Sequence, residues 1–388
     1  MLHEELAEFA AMLSNAEKSQ DVFPSVAQID RSVEERLALL EQEYVEYMNR
    51  LNPERFAGNL HAQNTARHLL SKLYAWHMRA ERDIPTREER SGPPPPSQPA
   101  LVAVARLRSV QAPPSEPVDF SITTPNGTYR ATQFLAQGDV AMLYQGIGTA
   151  GSHANENVVI KIAAEAQDND LLVEEVRVLR TLQSTEDVQR KHLPQVFGEF
   201  KTPDGQAGTI LSYLEGYDLD QIRERYPQGL PSEHVAWILA RALSGLGFAH
   251  KHGILHGNIE PAHLIVRPRD HNVFVIDWTY AVVAPEKTGQ GFRAHNPTYS
   301  PEEVVERKPP LPASDLYSLG KTMIFLLGGD VEQGTCPQHV DERFVRFVQF
   351  LCRKSPRQRA QDAWEAAQQL AQLRLEVFGE QRFLALEM

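Results

Sequence analysis

The chain has 388 residues, 42% of them hydrophobic, which is enough for two domains with a sizeable core. Its formal net charge of −12 at pH 7 leaves no basic surface for nucleic acid. No apolar run approaches the ~20 residues of a membrane span, and the first residues are acidic where a secretory signal would be basic. The two cysteines, Cys336 and Cys352, are too few and too far apart for a zinc site or a disulfide framework. We therefore expect a cytoplasmic protein that binds neither nucleic acid nor membranes.

Residues 1–83 are almost free of glycine and proline, and Leu37, Leu40, Tyr44 and Met48 follow helical spacing. This pattern predicts a helical module. Residues 84–117 are rich in proline, which removes backbone donors and favours extended geometry. They are predicted to form a semi-rigid linker, with a short strand at "LVAVARL".

A second domain is predicted over residues 118–378, followed by a C-terminal tail at 379–388. It begins with two β-rich runs joined across Pro125, Asn126 and Gly127, which is a strong hairpin signal. Strand-like patterns continue to about residue 213, and helical periodicity dominates from Gln221 onward. The order predicts an α+β fold with a small β lobe followed by a larger helical lobe.

Several motifs in this region occur in a fixed order: "LAQGDVAMLYQG", "VVIKI", "LLVEEVRVLRTL", "HGILHGNIEPAHLIV", "VFVIDWTYA" and "SPEE". Together they resemble the motifs of the protein kinase superfamily. The resemblance implies a bilobal protein-kinase-like fold with the helical module at its N-terminus. It also implies that ATP with Mg²⁺ is the cofactor.

The resemblance assigns a nucleotide site to particular residues. Lys161 matches the lysine that contacts the α and β phosphates, and Glu175 matches the glutamate that holds it, with Glu174 as the off-register competitor. Gly138 is the one glycine left in the phosphate-covering loop. Backbone groups of Tyr213 and Leu214 match the adenine-binding hinge, and Asp277 matches the magnesium ligand. Binding of ATP with one Mg²⁺, weaker than in a complete site, is the expected result.

The catalytic loop departs from the family pattern at its polar positions. Asn258 replaces the aspartate that accepts the substrate's proton, and an amide cannot accept a proton at any useful pH. Glu260 replaces the lysine that neutralises the transferring phosphoryl group. His263 replaces the asparagine that binds a second Mg²⁺, a cation that prefers oxygen ligands. Gly257 replaces the arginine that would receive an activating phosphate.

Four further matches are architectural. The resemblance implies that His256 is a structural strut, that Asp315 braces the backbone of the catalytic loop, and that Glu302 forms a salt bridge with Arg359. Histidines are dense in this stretch, but structural histidines account for them better than a metal site does.

The helical module has a fainter resemblance, to the second and third helices of a J domain, in "EYMNRLNPERFAGNLHAQNTARHLLSKLYAWHMRA". The signature that engages a chaperone ATPase stands here as Asn52, Pro53 and Glu54. The resemblance implies a chaperone-related partner. The alternative is a helical hairpin that packs on the second domain or on another protein.

These observations favour a pseudokinase, that is, a nucleotide-binding regulatory or scaffolding protein that lacks the catalytic aspartate. An atypical Ser/Thr kinase, or another ATP-dependent transferase, that uses Glu260 as its base is the first alternative. An interaction scaffold that binds no nucleotide is the second. In either scaffolding role the partner is another protein, which the sequence does not identify.

Overall fold

The computed structural model describes residues 2–16, 18–28, 31, 33–51, 118–380 and 383–388, with isolated residues between 55 and 80. The predicted linker, and residues 52–54 with most of the J-domain-like segment, lie outside these described residues. The chain divides into two compact units, Met1–Val104 and Ala105–Met388. The boundary falls within the range predicted as a linker.

The first unit is helical. Its described elements are α1 (Leu2–Asn15), α2 (Ser19–Val22), a 3₁₀ turn (Pro24–Ala27) and α3 (Val33–Arg50). Phe23 is fully buried and its ring meets those of Tyr44 and Tyr47 on α3, while Phe9 on α1 packs edge-on against Tyr47. The prediction of N-terminal helices is confirmed, and aromatic contacts hold α1 and the turn region against α3.

The second unit begins with a six-stranded antiparallel sheet in the order β1–β2–β3–β4–β6–β5. Its strands are β1 (Ser121–Thr124), β2 (Gly127–Gln137), β3 (Ala141–Gly151), β4 (Asn157–Ala163), β5 (Val196–Lys201) and β6 (Ala207–Ser212). The helix α4 (Asn169–Gln183) lies between β4 and β5 in sequence and buries the apolar face formed by Leu171, Leu172, Val178 and Leu179. The predicted hairpin is present, with Thr124 opposite Gly127.

The helical lobe follows. Its helices are α5 (Leu219–Arg225), α6 (Ser232–Lys251), α7 (Pro285–Thr288), α8 (Glu302–Val305), α9 (Pro312–Leu326), α10 (Glu342–Leu351) and α11 (Ala363–Phe378). Its short strands are β7 (Tyr217–Asp218), β8 (Ile254–Leu255), β9 (Leu264–Arg267), β10 (Asn272–Val275) and β11 (Val282–Val283). The helix α6 is buried along most of its length and forms the centre of the lobe's core.

Two small sheets position the loops of the helical lobe. β9 lies between β10 and β7, and β8 pairs with β11. The segment 256–263 therefore runs from the end of β8 to the start of β9, and Asp277 follows β10 by two residues. A β lobe followed by a helical lobe confirms the predicted α+β, kinase-like fold. In the described residues no helix has the length and the apolar run needed to cross a bilayer.

Candidate functional site

Lys161 lies at the centre of a buried polar network. It projects from β4, whose register places it opposite Leu143 on β3 and Thr209 on β6. Its ammonium nitrogen is 2.8 Å from Glu175 on α4, 2.5 Å from Asp277 Oδ1 and 2.8 Å from the hydroxyl oxygen of Thr279. Burial alone would lower the pKa of Lys161, but the Asp277 and Glu175 carboxylates outweigh it and raise that pKa. Lys161 is therefore a permanently charged group at this site.

The register of α4 selects Glu175 over its neighbour. Glu175 is buried, and its second oxygen accepts a hydrogen bond from the backbone N–H of Trp278 at 3.1 Å. Glu174 instead lies beside Arg177 on the helix surface. The predicted pairing of Lys161 with Glu175 is present, and it links β4, α4 and the turn after β10.

Asp277 has contacts on both carboxylate oxygens. Oδ1 accepts from Lys161 and from the hydroxyl of Thr279, and Oδ2 lies 3.2 Å from His263 Nε2. Burial opposes ionisation of Asp277, but the charge of Lys161, together with hydrogen bonds from Lys161 and Thr279, holds its pKa well below the usual range. Its backbone is left-handed (φ 60°), a conformation that aspartate tolerates better than most residues. Asp277 is ionised, and side chains of the protein surround its charge.

The polar positions of the catalytic loop are buried. Asn258 is 2% exposed, and neither atom of its side-chain amide has a hydrogen-bond partner within the described part of the chain. Its backbone carbonyl accepts a hydrogen bond of 2.7 Å from Nδ1 of His263, and burial lowers the pKa of that imidazole. A neutral amide therefore occupies the position where a proton acceptor would be required.

Glu260 is also 2% exposed, and it is held in place from the segment that precedes α8. Its Oε2 accepts a hydrogen bond from the side-chain amide of Asn296, and its Oε1 lies 3.4 Å from His263 Nε2. Asn296 is itself buried, and its oxygen accepts from the backbone N–H groups of Thr298 and Tyr299. The carboxylate of Glu260 thus organises a buried loop and does not project toward solvent.

His256 and Asp315 hold the entry to this loop. Asp315, near the start of α9, accepts hydrogen bonds from the backbone N–H groups of His256 (2.8 Å) and Gly257 (2.9 Å) and lies 2.8 Å from His250 Nε2. Burial lowers the pKa of His256 to about 4, so its neutral ring donates from Nε2 to the carbonyl of Ile276 at 2.9 Å. Both residues have the bracing contacts that the resemblance implies.

Gly257 occupies a position that excludes a side chain. Its φ is +78°, which favours glycine. A Cβ placed there would lie 2.7 Å from the carbonyl oxygen of Tyr280, which is fully buried. The backbone after Asp277 therefore fills the space that an arginine at position 257 would need.

The prediction for Glu302 is wrong by one residue. Arg359 forms its two side-chain contacts with Glu303, which is 3% exposed, while Glu302 is exposed. Pro301 precedes the first helical residue of α8, so Glu302 and Glu303 project about 100° apart around the helix axis. The register of this turn directs Glu303 toward Arg359 and the hydroxyl of Ser314.

The loop between β2 and β3 is a tight turn. The N–H of Gly138 donates to the carbonyl of Ala141 at 2.8 Å. Val140 is buried in one apolar cluster with Leu171 on α4, Tyr280 and Ala294. The tip of this loop therefore packs into the core formed by α4 and the segment after Asp277.

The hinge residues connect the two lobes. Tyr213 and Leu214 lie between β6 and β7; Tyr213 is exposed, and its N–H donates to the carbonyl of Asn157 at 3.3 Å. Their backbone therefore links the sheet of the β lobe to the first short strand of the helical lobe, the position that the resemblance implies for a hinge.

Sequence reasoning missed two functional side chains, Thr279 and Asn296. Thr279 lies two residues after Asp277 in "VFVIDWTYA", a motif whose resemblance assigns a role to Asp277 and not to a hydroxyl. Asn296 lies 36 residues beyond Glu260, and no local pattern indicates that contact. Glu260 itself could have indicated such a contact. A buried glutamate at a position where the family has lysine needs an amide or hydroxyl group nearby that donates a hydrogen bond to it.

The donor set fits magnesium poorly. His263 presents nitrogen at the second ligand position, where a hard cation prefers oxygen. Lys161, Thr279 and His263 surround Asp277, the remaining oxygen ligand. No group of three or more histidine, cysteine or acidic side chains among the described residues is arranged to hold a metal ion. These residues do not reproduce a two-magnesium centre.

The family model and the relatives that match this chain all belong to one family. The family model "Protein kinase domain" matches residues 129–385. The chain is 26% identical over 276 residues to "Probable serine/threonine-protein kinase pknA2" of Bifidobacterium longum, covering 64% of this chain and 35% of that protein. It is 28% identical over 128 residues to "Serine/threonine-protein kinase F" of Synechocystis, covering 32% and 26%. It is 26% identical over 233 residues to "Serine/threonine-protein kinase pkn3" of Myxococcus xanthus, covering 55% and 41%. The chain thus matches less than half the length of each of these relatives.

Proposed function

Because the chain belongs to the protein kinase family, we propose that it is a pseudokinase whose kinase-like domain regulates or scaffolds another protein and does not transfer phosphate. Kinase domains generally bind ATP with Mg²⁺ and transfer its γ-phosphoryl group to a hydroxyl. That transfer requires an acceptor for the hydroxyl proton and positive charge near the phosphoryl group. Both are missing from the loop of residues 256–263.

The observation that carries the proposal is the state of Asn258 and Glu260. Asn258 is a buried neutral amide at the position of the base. Glu260 puts negative charge at the position of the lysine, and the amide of Asn296 holds its carboxylate within a buried loop. The two changes remove the base and reverse the charge that would meet the phosphoryl group.

The structure argues against Glu260 as a substitute base. A general base must come within about 3 Å of the substrate hydroxyl, directly or through one water. Glu260 would have to give up its contact with Asn296 and leave a site where it is almost fully enclosed. An atypical kinase is therefore the weaker alternative.

Phosphoryl transfer from labelled ATP tests the proposal. We expect the full chain to incorporate no more label into itself or a mixed peptide library than Lys161→Met does. Asn258→Asp alone should also remain inactive, because Glu260 and His263 are unchanged. Incorporation by the wild-type chain that Glu260→Gln abolishes would establish the transferase instead.

Nucleotide binding is a separate question from transfer. Lys161, Glu175, Gly138 and the hinge are retained, and they support weak binding of ATP. Asp277 is the acidic side chain that remains at a magnesium-ligand position. Lys161 and His263 already lie against its carboxylate, so we expect Mg²⁺ to strengthen ATP binding less than in a complete site. No step of the proposed function passes through the metal.

A further inference from the structure

The ammonium group of Lys161 is enclosed by oxygen atoms of the protein itself. A lysine has three N–H donors, and three oxygens lie within 2.8 Å: Lys161 donates hydrogen bonds to Asp277 and Thr279 and forms an ion pair with Glu175. Lys161 is 4% exposed, so water is not a substantial fourth partner. A phosphate oxygen could reach this nitrogen only by displacing one of the three.

Thr279 is the acceptor that distinguishes this site. It stands at the position where the family motif has glycine, which has no side chain to offer. Its hydroxyl donates to Asp277 Oδ1, so the lone pairs of the same oxygen are left to accept from Lys161. Thr279 is fully buried within the turn Trp278–Tyr280, which holds the hydroxyl in this place.

We propose that Thr279 determines nucleotide affinity, its hydroxyl taking the place of a phosphate oxygen on Lys161 and disfavouring nucleoside triphosphates at this site. The proposal rests on the proposed function, which identifies the surroundings of Lys161 as the nucleotide site. It adds which side chain lowers the affinity of that site for nucleotide. A triphosphate entering the site must break the contact of Lys161 with Thr279 and bring its negative charge toward Asp277. Two neighbouring carboxylates, Glu175 and Asp277, already share the positive charge of Lys161.

The closed loop between β2 and β3 agrees with this assignment. Val140 at its tip is buried in the same cluster as Tyr280, the residue after Thr279. The turn that presents the hydroxyl and the loop that would cover phosphates are thus parts of one apolar core. The packing of Tyr280 in this core fixes the residue directly after Thr279.

The test uses two substitutions that differ by the hydroxyl. Thr279→Val keeps the branched shape and removes the hydroxyl, whereas Thr279→Ser keeps the hydroxyl. Thr322→Val is the matched control, because Thr322 on α9 is also fully buried and its hydroxyl donates to the carbonyl of Ser318 at 2.9 Å. Each full-length variant is titrated calorimetrically with ATP, once with Mg²⁺ and once with EDTA, after its melting curve shows that it is folded.

We expect Thr279→Val to bind ATP at least about tenfold more tightly than the wild type, which is the size of one hydrogen bond to a charged group. Thr279→Ser and Thr322→Val should bind like the wild type, and adding Lys161→Met to Thr279→Val should remove the gain. Equal affinity of wild type and Thr279→Val would overturn the proposal, as would an equal gain in Thr279→Ser. Phosphoryl transfer by the wild type would defeat the proposed function, but the role of Thr279 would still be decided by these affinities.

Discussion

Single residues decide whether the buried charges of this domain are compensated. Arg359 is enclosed among Glu303 and the backbone carbonyls of Ala313, Arg353 and Lys354. Removing one member of such a buried pair is costly, because the other charge remains without water or a partner. Measuring the stability of single-substitution variants can therefore show which glutamate is the partner of Arg359.

Glu303→Gln should destabilise the domain by about 3 kcal/mol, because it leaves the buried Arg359 charge without a counterion. Glu302→Gln, one residue earlier on an exposed position, should change stability by less than about 0.5 kcal/mol. Urea unfolding of the two variants measures both values under the same conditions. If Glu302→Gln were the more damaging change, the register found for α8 would be incorrect.

The same pair shows where sequence reasoning stops at this scale. The spacing of motifs was sufficient to identify Lys161, Glu175, Asp277, His256 and Asp315, each of which has a partner in the structure. It failed for Glu302 because the sequence does not distinguish this residue from the adjacent Glu303. The residue at which the helix starts determines which of the two side chains points inward. It missed the contact of Thr279 with Lys161, which spans 118 residues, and the contact of Asn296 with Glu260, which spans 36.

At the scale of elements, buried histidines join pieces of the helical lobe. His192 ends the 3₁₀ turn Val188–His192, and its Nδ1 lies 2.7 Å from the carbonyl of Val273 on β10. It is fully buried beside Gly245 of α6, where a Cβ on the glycine would come within 3.2 Å of the histidine. One imidazole therefore fixes the spacing of a turn, a strand and a helix.

Burial lowers the pKa of His192 to about 4, from about 6.5 in an unfolded chain. Between these values the unfolded state binds more protons, so the contribution to stability is complete above pH ~6.5 and is lost as pH falls toward ~4. We expect the free energy of unfolding to decrease over this window, by up to about 3 kcal/mol from His192 alone.

Urea unfolding at several pH values between 4 and 7.5 measures this slope. His192→Gln should flatten it, although His256, whose pKa burial also lowers to about 4, will keep part of it. His339→Gln, at an exposed position, is the control and should leave the slope unchanged. A slope that is the same in the His192 variant and the wild type would contradict the assignment.

The arrangement of elements was largely predictable, because hairpin signals and helical periodicity are local. The hairpin at residues 121–130 and the succession of a β lobe and a helical lobe follow from such patterns. The packing of Val140 into one cluster with Ala294 could not be inferred, because it depends on contacts between segments about 150 residues apart.

At the scale of the whole molecule, the chain has two compact units whose boundary, at residues 104 and 105, falls in a proline-rich sequence. Proline-rich stretches with little apolar periodicity offer proteases an extended backbone that few contacts protect. We expect brief trypsin treatment to cut first after Arg87, Arg90, Arg106 or Arg108 and to leave a stable fragment from about Ser109 onward.

Mass spectrometry of a digestion time course identifies the first cuts. A matched digestion in the presence of urea should abolish the selectivity, because sites within both units then become accessible. First cuts inside residues 118–378, or resistance of the whole range 84–117, would show that the predicted linker is protected.

The close approach of Gly257 to Tyr280 also makes the two positions interdependent. A Cβ on residue 257 would lie 2.7 Å from the carbonyl oxygen of Tyr280, and the φ of +78° disfavours any side chain there. An arginine introduced at position 257 alone would therefore clash with the buried backbone. The Tyr280 segment would have to move before a side chain at position 257 could be accommodated. A substitution at this position is therefore tolerated only together with a second change in the segment after Asp277.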